Sequence, residues 1–200
     1  MTSCGLLVTH MYIEAIRIEN YRNFVDFSMK FREGLNVIIG ANNSGKTGLL
    51  RTICLLNRPE GITVDDFNKN KLLQYKELYL DEPPKIVIEY TIRHLIKESV
   101  QASDEGVIRL LPLIAMDDVR QEEAGSGECK TYALRAELRA IYDLNPKFFE
   151  EFKTCVRESS DFQDFVLRLN RFIKDGRYGW RYENASTGEE VDFILSRTAK

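Results

Sequence analysis

Residues 40–47 constrain this chain more than any other part of its sequence. They read GANNSGKT and satisfy the pattern G-x-x-x-x-G-K-[ST] without a mismatch. The glycines let the backbone turn tightly, and consecutive backbone N–H groups then form a nest that binds anions. An apolar run over 37–39 precedes the motif, and a segment with helical apolar spacing over 46–56 follows it. A strand, this loop and a helix in that order predict a phosphate-binding loop and an α/β P-loop NTPase fold.

The fixed positions of the motif have separate roles. We expect the Lys46 ammonium group to reach the β- and γ-phosphates of ATP, which makes Lys46 the candidate catalytic residue. The Thr47 hydroxyl is the candidate Mg²⁺ ligand, and the start of the helix adds the positive end of its dipole. ATP and Mg²⁺ are therefore the predicted cofactors. The predicted cofactor-binding residues of the loop are Gly40, Ala41, Asn42, Asn43, Ser44, Gly45, Lys46, Thr47 and Gly48.

The composition excludes some classes of protein and leaves others open. Lysine and arginine number 28 against 31 aspartates and glutamates, so the net charge is −3. A dedicated nucleic-acid binder usually carries a basic face, although a local patch can exist within a near-neutral total. No apolar run approaches the roughly 18 residues of a membrane span. The four cysteines are scattered without a Cys-x-x-Cys pair, which argues against a zinc site and favours reduced thiols in the cytoplasm.

Apolar periodicity predicts several strands. Residues 12–18 are rich in isoleucine, and residues 25–31 alternate between apolar and polar side chains, which indicates a strand with one solvated face. Residues 35–39 form a short apolar run, the pattern of a strand buried on both faces. Alternation predicts further strands over 86–92 and 132–142.

Two helices are predicted in the last third of the chain. Asn145 followed by Pro146 places a capping residue before a proline at the first helical position. Apolar stripes over 148–156 and 162–173 then indicate two helices that pack on a core. Ser160 is the predicted cap of the second helix.

Two segments together resemble a known group of ATPases. Residues 16–24, IRIENYRNF, look like the opening of the RecF, SMC and OLD (overcoming lysogenization defect) group of ABC-type ATPases, a strand followed by N-[FY]-R and an aromatic residue. Residues 38–47 resemble the phosphate loop of that group, including asparagine in its middle. Residues 61–67, GITVDDF, followed by the strand over 86–92, look most similar to OLD-family ATP-dependent endonucleases. The resemblance covers about residues 12–92.

The resemblance implies an architecture. It implies an ABC-type N-terminal lobe with a mixed sheet around the phosphate loop and a helical segment near 145–175. Residues 1–11 would be an extension, and residues 12–200 the ATPase lobe, truncated from a longer protein. Within the lobe, residues 93–200 would be an insertion or a helical part.

The resemblance also implies functional residues and partners. In that group Arg22 and Asn23 would lie near the nucleotide, although a solvated loop arginine remains the alternative for Arg22. Two heads sandwich ATP between them, which implies a homodimer of heads. The full-length protein would couple ATP binding, head dimerisation and ATP hydrolysis to DNA processing. The chain alone would have little ATPase activity, and no membrane is expected as a partner.

Several elements of a complete ATPase site are missing. No L-S-G-G-like signature is present, and Asp81 with Glu82 imitates a Walker B ending but is expected to be a surface turn. Residues 113–118 imitate a Walker B strand better, with Asp117 as the carboxylate, although Pro112 weakens a central strand. Three glutamines are equal candidates for sensing the γ-phosphate, namely Gln74, Gln101 and Gln121.

Two other functions stay open at this point. The chain could be a self-contained P-loop NTPase that uses Asp117, for which turnover by the chain alone is the discriminating observation. It could also be a regulatory module that binds nucleotide without hydrolysis. A domain that binds no nucleotide is disfavoured because the phosphate loop is intact.

Overall fold

Six strands form an antiparallel sheet in the computed structural model, which describes residues 10–56, 59, 61–97, 113, 120–122 and 131–192. The sheet order is β2-β1-β3-β5, and both β4 and β6 pair with β5. The strands over 12–18, 25–31, 86–92 and 132–142 are confirmed, with longer bounds for most. The strands are β1 (His10–Tyr21), β2 (Phe24–Lys30), β3 (Ile86–Lys97), β4 (Arg120–Glu122), β5 (Thr131–Leu144) and β6 (Tyr178–Asn184).

Helices fill the connections between the strands. They are α1 (Lys46–Leu55), α2 (Lys69–Leu73), α3 (Tyr75–Leu78), α4 (Phe149–Glu158) and α5 (Phe162–Lys174), with 3₁₀ turns at Val64–Asp66 and Pro146–Phe148. The predicted helical segment near 145–175 is confirmed, and Asn145 caps its start by accepting a hydrogen bond from Lys147 N. The predicted cap at Ser160 is wrong by one residue. Asp161 is the N-cap of α5, because its Oδ1 accepts from Asp164 N at 2.9 Å.

One face of the sheet packs against the helices. Ile18, Ile88 and Leu138 lie on the three central strands and have no exposed surface. The Tyr90 hydroxyl donates to the backbone oxygen of Thr52 at 2.6 Å, which connects β3 to α1. This apolar face and the helices that cover it form the core, because burial of apolar surface is the main favourable term in folding.

The opposite face of the sheet carries charged side chains in alternation. Arg17 pairs with Asp26 across β1 and β2 at 3.0 Å. Arg139 on β5 pairs with Glu89 on β3 at 2.7 Å and with Glu183 on β6 at 2.6 Å. Such partly exposed pairs contribute little to stability individually. We call this side of the sheet the charged face, and both signs of charge are interspersed on it.

The strand predicted over 35–39 is wrong. These residues form neither a strand nor a helix. Three of their four apolar side chains are open to solvent, with Leu35 91%, Val37 70% and Ile39 89% exposed, whereas Ile38 is partly buried against the core. In the part of the chain that the structure describes, no strand pairs with this segment, so its backbone groups gain no ladder hydrogen bonds. The mixed sheet expected around the phosphate loop is therefore wrong as well. All described strand pairs are antiparallel.

Some predictions fall on other parts of the chain. The surface turn at Asp81 and Glu82 is confirmed. Asp117 and Gln101 lie outside the described residues, as do residues 1–9 of the predicted extension, whereas Met11 belongs to β1. None of the described helices is long and apolar enough to cross a membrane.

Candidate nucleotide-binding site

The phosphate-binding motif lies at the start of α1. The loop ends at Gly45, which is the N-cap of the helix with φ +95° and offers no side-chain cap. The first backbone N–H groups of a helix have no partner within the helix, so here they remain available to an anion. Asn43 also has a positive φ, +64°. The loop therefore has the left-handed residues and the uncapped helix start of an anion nest.

The aromatic ring of Phe24 explains why two of the loop positions are glycines. A Cβ atom at position 45 would lie 2.8 Å from Phe24 Cζ, which is closer than real Cβ contacts. A Cβ atom at position 48 would lie 3.3 Å from Phe24 Cε2. Phe24 is the first residue of β2, so the edge strand of the sheet packs against the loop. This packing and the positive φ both favour glycine at position 45, whereas at position 48 a larger residue would press on the Phe24 ring.

Lys46 and Thr47 open the helix. The Lys46 ammonium group bends back over the loop and donates to the backbone oxygens of Gly40 and Ala41, both at 2.6 Å. Thr47 is exposed on the first turn of α1. The two side chains that the motif assigns to phosphate and to Mg²⁺ thus lie at the same end of the helix.

Arg22 and Asn23 lie beside the phosphate loop. They share a cleft of about 500 Å³ with its residues, and Asn23 Nδ2 donates to the backbone oxygen of Asn43 at 3.0 Å. The structure thus brings both residues of the β1–β2 turn to the loop, and their binding to a nucleotide stays a prediction. Gly40, Ala41 and Ser44 belong to the loop without lining the cleft. The lining residues are Arg22, Asn23, Phe24, Asn42, Asn43, Gly45, Lys46, Thr47 and Gly48.

Two residues that support Arg22 were not identified from the sequence. The Arg22 Nε atom donates to Oδ1 of the buried Asp66 at 2.9 Å, and Arg51 Nη1 donates to the same oxygen at 3.3 Å. Burial opposes the charge of Arg22, but its pKa is raised, chiefly by the hydrogen bond to Asp66. Burial, followed by the charge of Asp66, raises the pKa of the neighbouring Tyr21 phenol. The available signal was the Thr63-x-x-Asp66 spacing, which matches a capping box, and both of its hydrogen bonds are present.

A second cleft adjoins the first. It has a volume of about 530 Å³ and shares Arg22 and Asn23 with the phosphate-loop cleft. Its other lining residues are largely polar, namely Asp65, Phe67, Asn68, Lys69 and Asn70. No local sequence pattern indicated this cleft, because its residues come from separate elements: the β1–β2 turn, the 3₁₀ turn with the residues after it, and the start of α2.

The candidate γ-phosphate sensors are not brought to this site by the described structure. Gln74 is the C-cap of α2 and lines a different cleft, next to Tyr79 and Lys85. Gln121 lies on β4, and Gln101 is outside the described residues. Among the described residues, no cluster of three or more histidine, cysteine, aspartate or glutamate side chains could hold a metal ion. Thr47 therefore remains the candidate Mg²⁺ ligand.

Comparison with known proteins identifies relatives. The chain is 36% identical over 69 residues to the DNA replication and repair protein RecF of Bacillus cytotoxicus, a match that covers 34% of this chain and 18% of the relative. It is 35% identical over 92 residues to RecF of an Exiguobacterium species, covering 46% of this chain and 23% of the relative. RecF of Heliobacterium modesticaldum is 36% identical over 69 residues, 34% of this chain and 18% of that protein. The chain spans less than a quarter of the length of these relatives in each match.

The family follows from a longer match. Residues 11–176 match the family described as an AAA ATPase domain, which is well over half of the chain. The matched region contains the β1–β2 turn, the phosphate loop and α1, the same elements that build the cleft. By this match and by its relationship to RecF, the chain belongs to the AAA ATPase domain family.

Proposed function

We propose that this chain is the ATP-binding lobe of an ATPase that couples ATP binding and hydrolysis to DNA processing. The observation that carries the proposal is the cleft in which Arg22, Asn23 and the phosphate loop meet at the uncapped start of α1. A triphosphate fits this site because backbone N–H groups, the Lys46 ammonium group and the Arg22 guanidinium group converge there. RecF, a relative over part of the chain, is a DNA replication and repair protein by name.

Each residue has a defined part in binding. The backbone of residues 40–47 would surround the phosphates, and Lys46 would exchange its bonds to the carbonyl oxygens of Gly40 and Ala41 for the β- and γ-phosphates. Thr47 would hold Mg²⁺, which would offset negative charge on the phosphates. Arg22 would contribute a planar group that can hold two phosphate oxygens at once.

Substitution of Lys46 tests binding directly. We expect calorimetry to show Mg²⁺-dependent ATP binding by this chain, and Lys46→Ala to weaken it by roughly 2 kcal/mol, about thirtyfold, because a charge-assisted contact is lost. Lys30→Ala is the matched control, since Lys30 is an exposed lysine at the end of β2 that does not line the cleft. Equal affinities of the wild type and Lys46→Ala for ATP would contradict the proposal.

Hydrolysis requires more than the described cleft supplies. No aspartate or glutamate is among the described residues that line the phosphate-loop cleft. We therefore expect very low turnover by the chain alone, with the missing groups coming from a second head and from the remainder of a longer protein. The exposed apolar residues at 35–39 support this view, because they have the composition of a buried strand. Residues 12–200 would then be one lobe of the full ATPase.

The alternatives are separated by turnover measurements. Robust hydrolysis by the 200-residue chain, abolished by Asp117→Asn, would favour a self-contained NTPase. Binding without turnover in the full-length protein would favour a regulatory module. The homodimer of heads is an implication of the whole RecF, SMC and OLD group. The finer assignment to the OLD family rests on residues 61–67 and the strand that follows over 86–92, and it implies nuclease activity supplied outside these residues. A full-length protein that neither dimerises with ATP nor acts on DNA would contradict that assignment.

A further inference from the structure

A buried carboxylate, Asp66, connects the β1–β2 turn to the helix of the phosphate loop. Its side chain is 2% exposed, and both of its oxygens accept hydrogen bonds. Oδ1 accepts from Arg22 Nε at 2.9 Å and from Arg51 Nη1 at 3.3 Å. Oδ2 accepts from the backbone N and the hydroxyl of Thr63, at 3.0 and 3.1 Å. Asp66 is therefore fixed in orientation, and it shares one oxygen between two arginines.

The backbone of Arg22 is held by the same short segment. Arg22 N donates to the backbone oxygen of Asp66 at 2.8 Å, and Asn68 Nδ2 donates to the backbone oxygen of Arg22 at 2.7 Å. Arg22 has φ +49°, a left-handed conformation that is uncommon for residues other than glycine. Such a conformation persists where the surrounding structure over-determines it. Here the main chain and the side chain of Arg22 are both tied to residues 66–68.

The direction of these contacts matters for the cleft. The hydrogen bond to Asp66 uses Nε, and Nη1 and Nη2, with the Tyr21 phenol as their neighbour, keep further N–H groups that can donate to another acceptor. The Arg22 stem passes close to α1, since its Cδ lies 3.7 Å from where a Cβ atom of residue 48 would be. Arg51 lies one turn beyond Thr47 on α1. Because Asp66 accepts hydrogen bonds from both Arg22 and Arg51, it links Arg22 to the helix that begins at the phosphate loop.

We propose that Asp66 is a positioning residue for nucleotide binding, acting through Arg22. It holds the guanidinium group so that the Nη edge faces a phosphate oxygen of the nucleotide, and it does not touch the nucleotide itself. Without its charge, Arg22 and Arg51 would repel each other, and Arg22 would turn towards solvent. A donor that is already fixed loses less conformational freedom when the ligand binds. The inference rests on the proposed function of the cleft.

A double-mutant cycle tests this role. The variants are Arg22→Ala, Asp66→Asn and the pair, and the measurements are calorimetric Kd values for Mg²⁺-ATP and for inorganic tripolyphosphate, with melting temperatures. We expect each single substitution to weaken both ligands about tenfold, since one charge-assisted contact is lost or misplaced. The pair should bind no more weakly than Arg22→Ala alone, because residues that act as a unit are not additive. Glu89→Gln is the matched control, since it removes a carboxylate paired with Arg139 on the charged face, and it should leave both affinities unchanged.

The outcomes separate the two proposals. Two outcomes would overturn the positioning role while the proposed function stands. In the first, the affinity losses of the two single substitutions multiply in the double variant. In the second, Asp66→Asn lowers the melting temperature but leaves the affinity unchanged. If the wild type binds neither ATP nor tripolyphosphate, the proposed function is wrong and the role of Asp66 fails with it. Should Asp66→Asn not fold, Thr63→Val replaces it, since this variant removes the hydrogen bonds of the Thr63 hydroxyl with Asp66 without removing the charge of Asp66. Thr63→Val should weaken binding about two- to threefold in the wild type and not at all in the Arg22→Ala background. An equal loss in both backgrounds overturns the role.

Discussion

Strand β3 and residues 35–39 have similar compositions and opposite environments. In β3, Ile86 and Ile88 have no exposed surface, and the strand pairs with β1 on one side and β5 on the other. Residues 35–39, which read LNVII, are irregular, and Ile39 is 89% exposed. Apolar side chains alone therefore do not produce a strand. A neighbouring strand that pairs with the backbone and a surface that covers the side chains are both required.

The comparison indicates that two regions of the chain have different roles, one in stability and one in ligand binding. The sheet and its helices supply stability, since their side chains are buried against one another. The segment over 35–48 carries groups for a ligand and contributes few buried contacts before α1 begins. Substitutions in the first region should change the free energy of unfolding. Substitutions in the second should chiefly change ligand affinity, except at Gly45, which packs against Phe24.

Truncation of matched isoleucines gives the largest expected contrast. Ile88→Ala should lower the free energy of unfolding by roughly 3–4 kcal/mol, because it removes a fully buried side chain and leaves a cavity. Ile39→Ala should change it by less than about 0.5 kcal/mol, since that side chain is exposed. Urea unfolding monitored by circular dichroism measures both variants. Similar losses in the two would show that residues 35–39 are buried in solution.

A series of glycine-to-alanine substitutions compares the loop with two glycines outside it. Gly45→Ala should cost roughly 2–3 kcal/mol, because it combines a positive φ with a clash against Phe24. Gly34→Ala should cost about 1 kcal/mol, since Gly34 has φ +87° but open space around it. Gly61→Ala, with neither feature, should be neutral or slightly stabilising. Thermal and urea unfolding would give the three values. A Gly45→Ala variant as stable as Gly34→Ala would mean that Phe24 does not support the loop.

The smallest expected effect concerns the Tyr90 hydroxyl, which connects β3 to α1. Tyr90→Phe removes the hydrogen bond to the backbone oxygen of Thr52 and should cost about 1 kcal/mol. Burial raises the pKa of the Tyr90 phenol well above its ordinary value, so the loss should be the same at pH 7 and pH 9. Tyr12→Phe, at a half-buried position on β1, is the control and should change stability by less than about 0.5 kcal/mol. A pH-dependent loss in Tyr90→Phe would contradict the buried position of the hydroxyl.

Local patterns predicted local structure well. The alternation over residues 25–31 led to β2, and the apolar stripes led to α4 and α5, because these patterns reflect faces that the same chain buries. The prediction for residues 35–39 was wrong because a strand depends on a partner that the segment itself does not encode. The cap of α5 was misplaced because Ser160 and Asp161 are both good capping residues, and only the hydrogen bond to Asp164 N distinguishes them.

The candidate site was predictable only in part. The motif identified the phosphate loop because its glycines and Lys46 have fixed spacing. Arg22 and Asn23 came from the resemblance, and the structure places them beside the loop. Asp66 was missed because its partners are 44 and 15 residues away along the chain, and no local pattern reports such a contact.

The contact between Phe24 and the loop glycines has a consequence for engineering. The ring reaches Gly45 and Gly48 from the edge of the sheet, and Asn23 holds the backbone of Asn43. The shape of the loop is therefore not encoded by its eight residues alone. A graft of residues 40–47 onto another scaffold would omit the β1–β2 turn and the Phe24 ring against which the loop packs. The smallest transplantable unit has to begin with that turn, more than twenty residues before the helix that follows the motif.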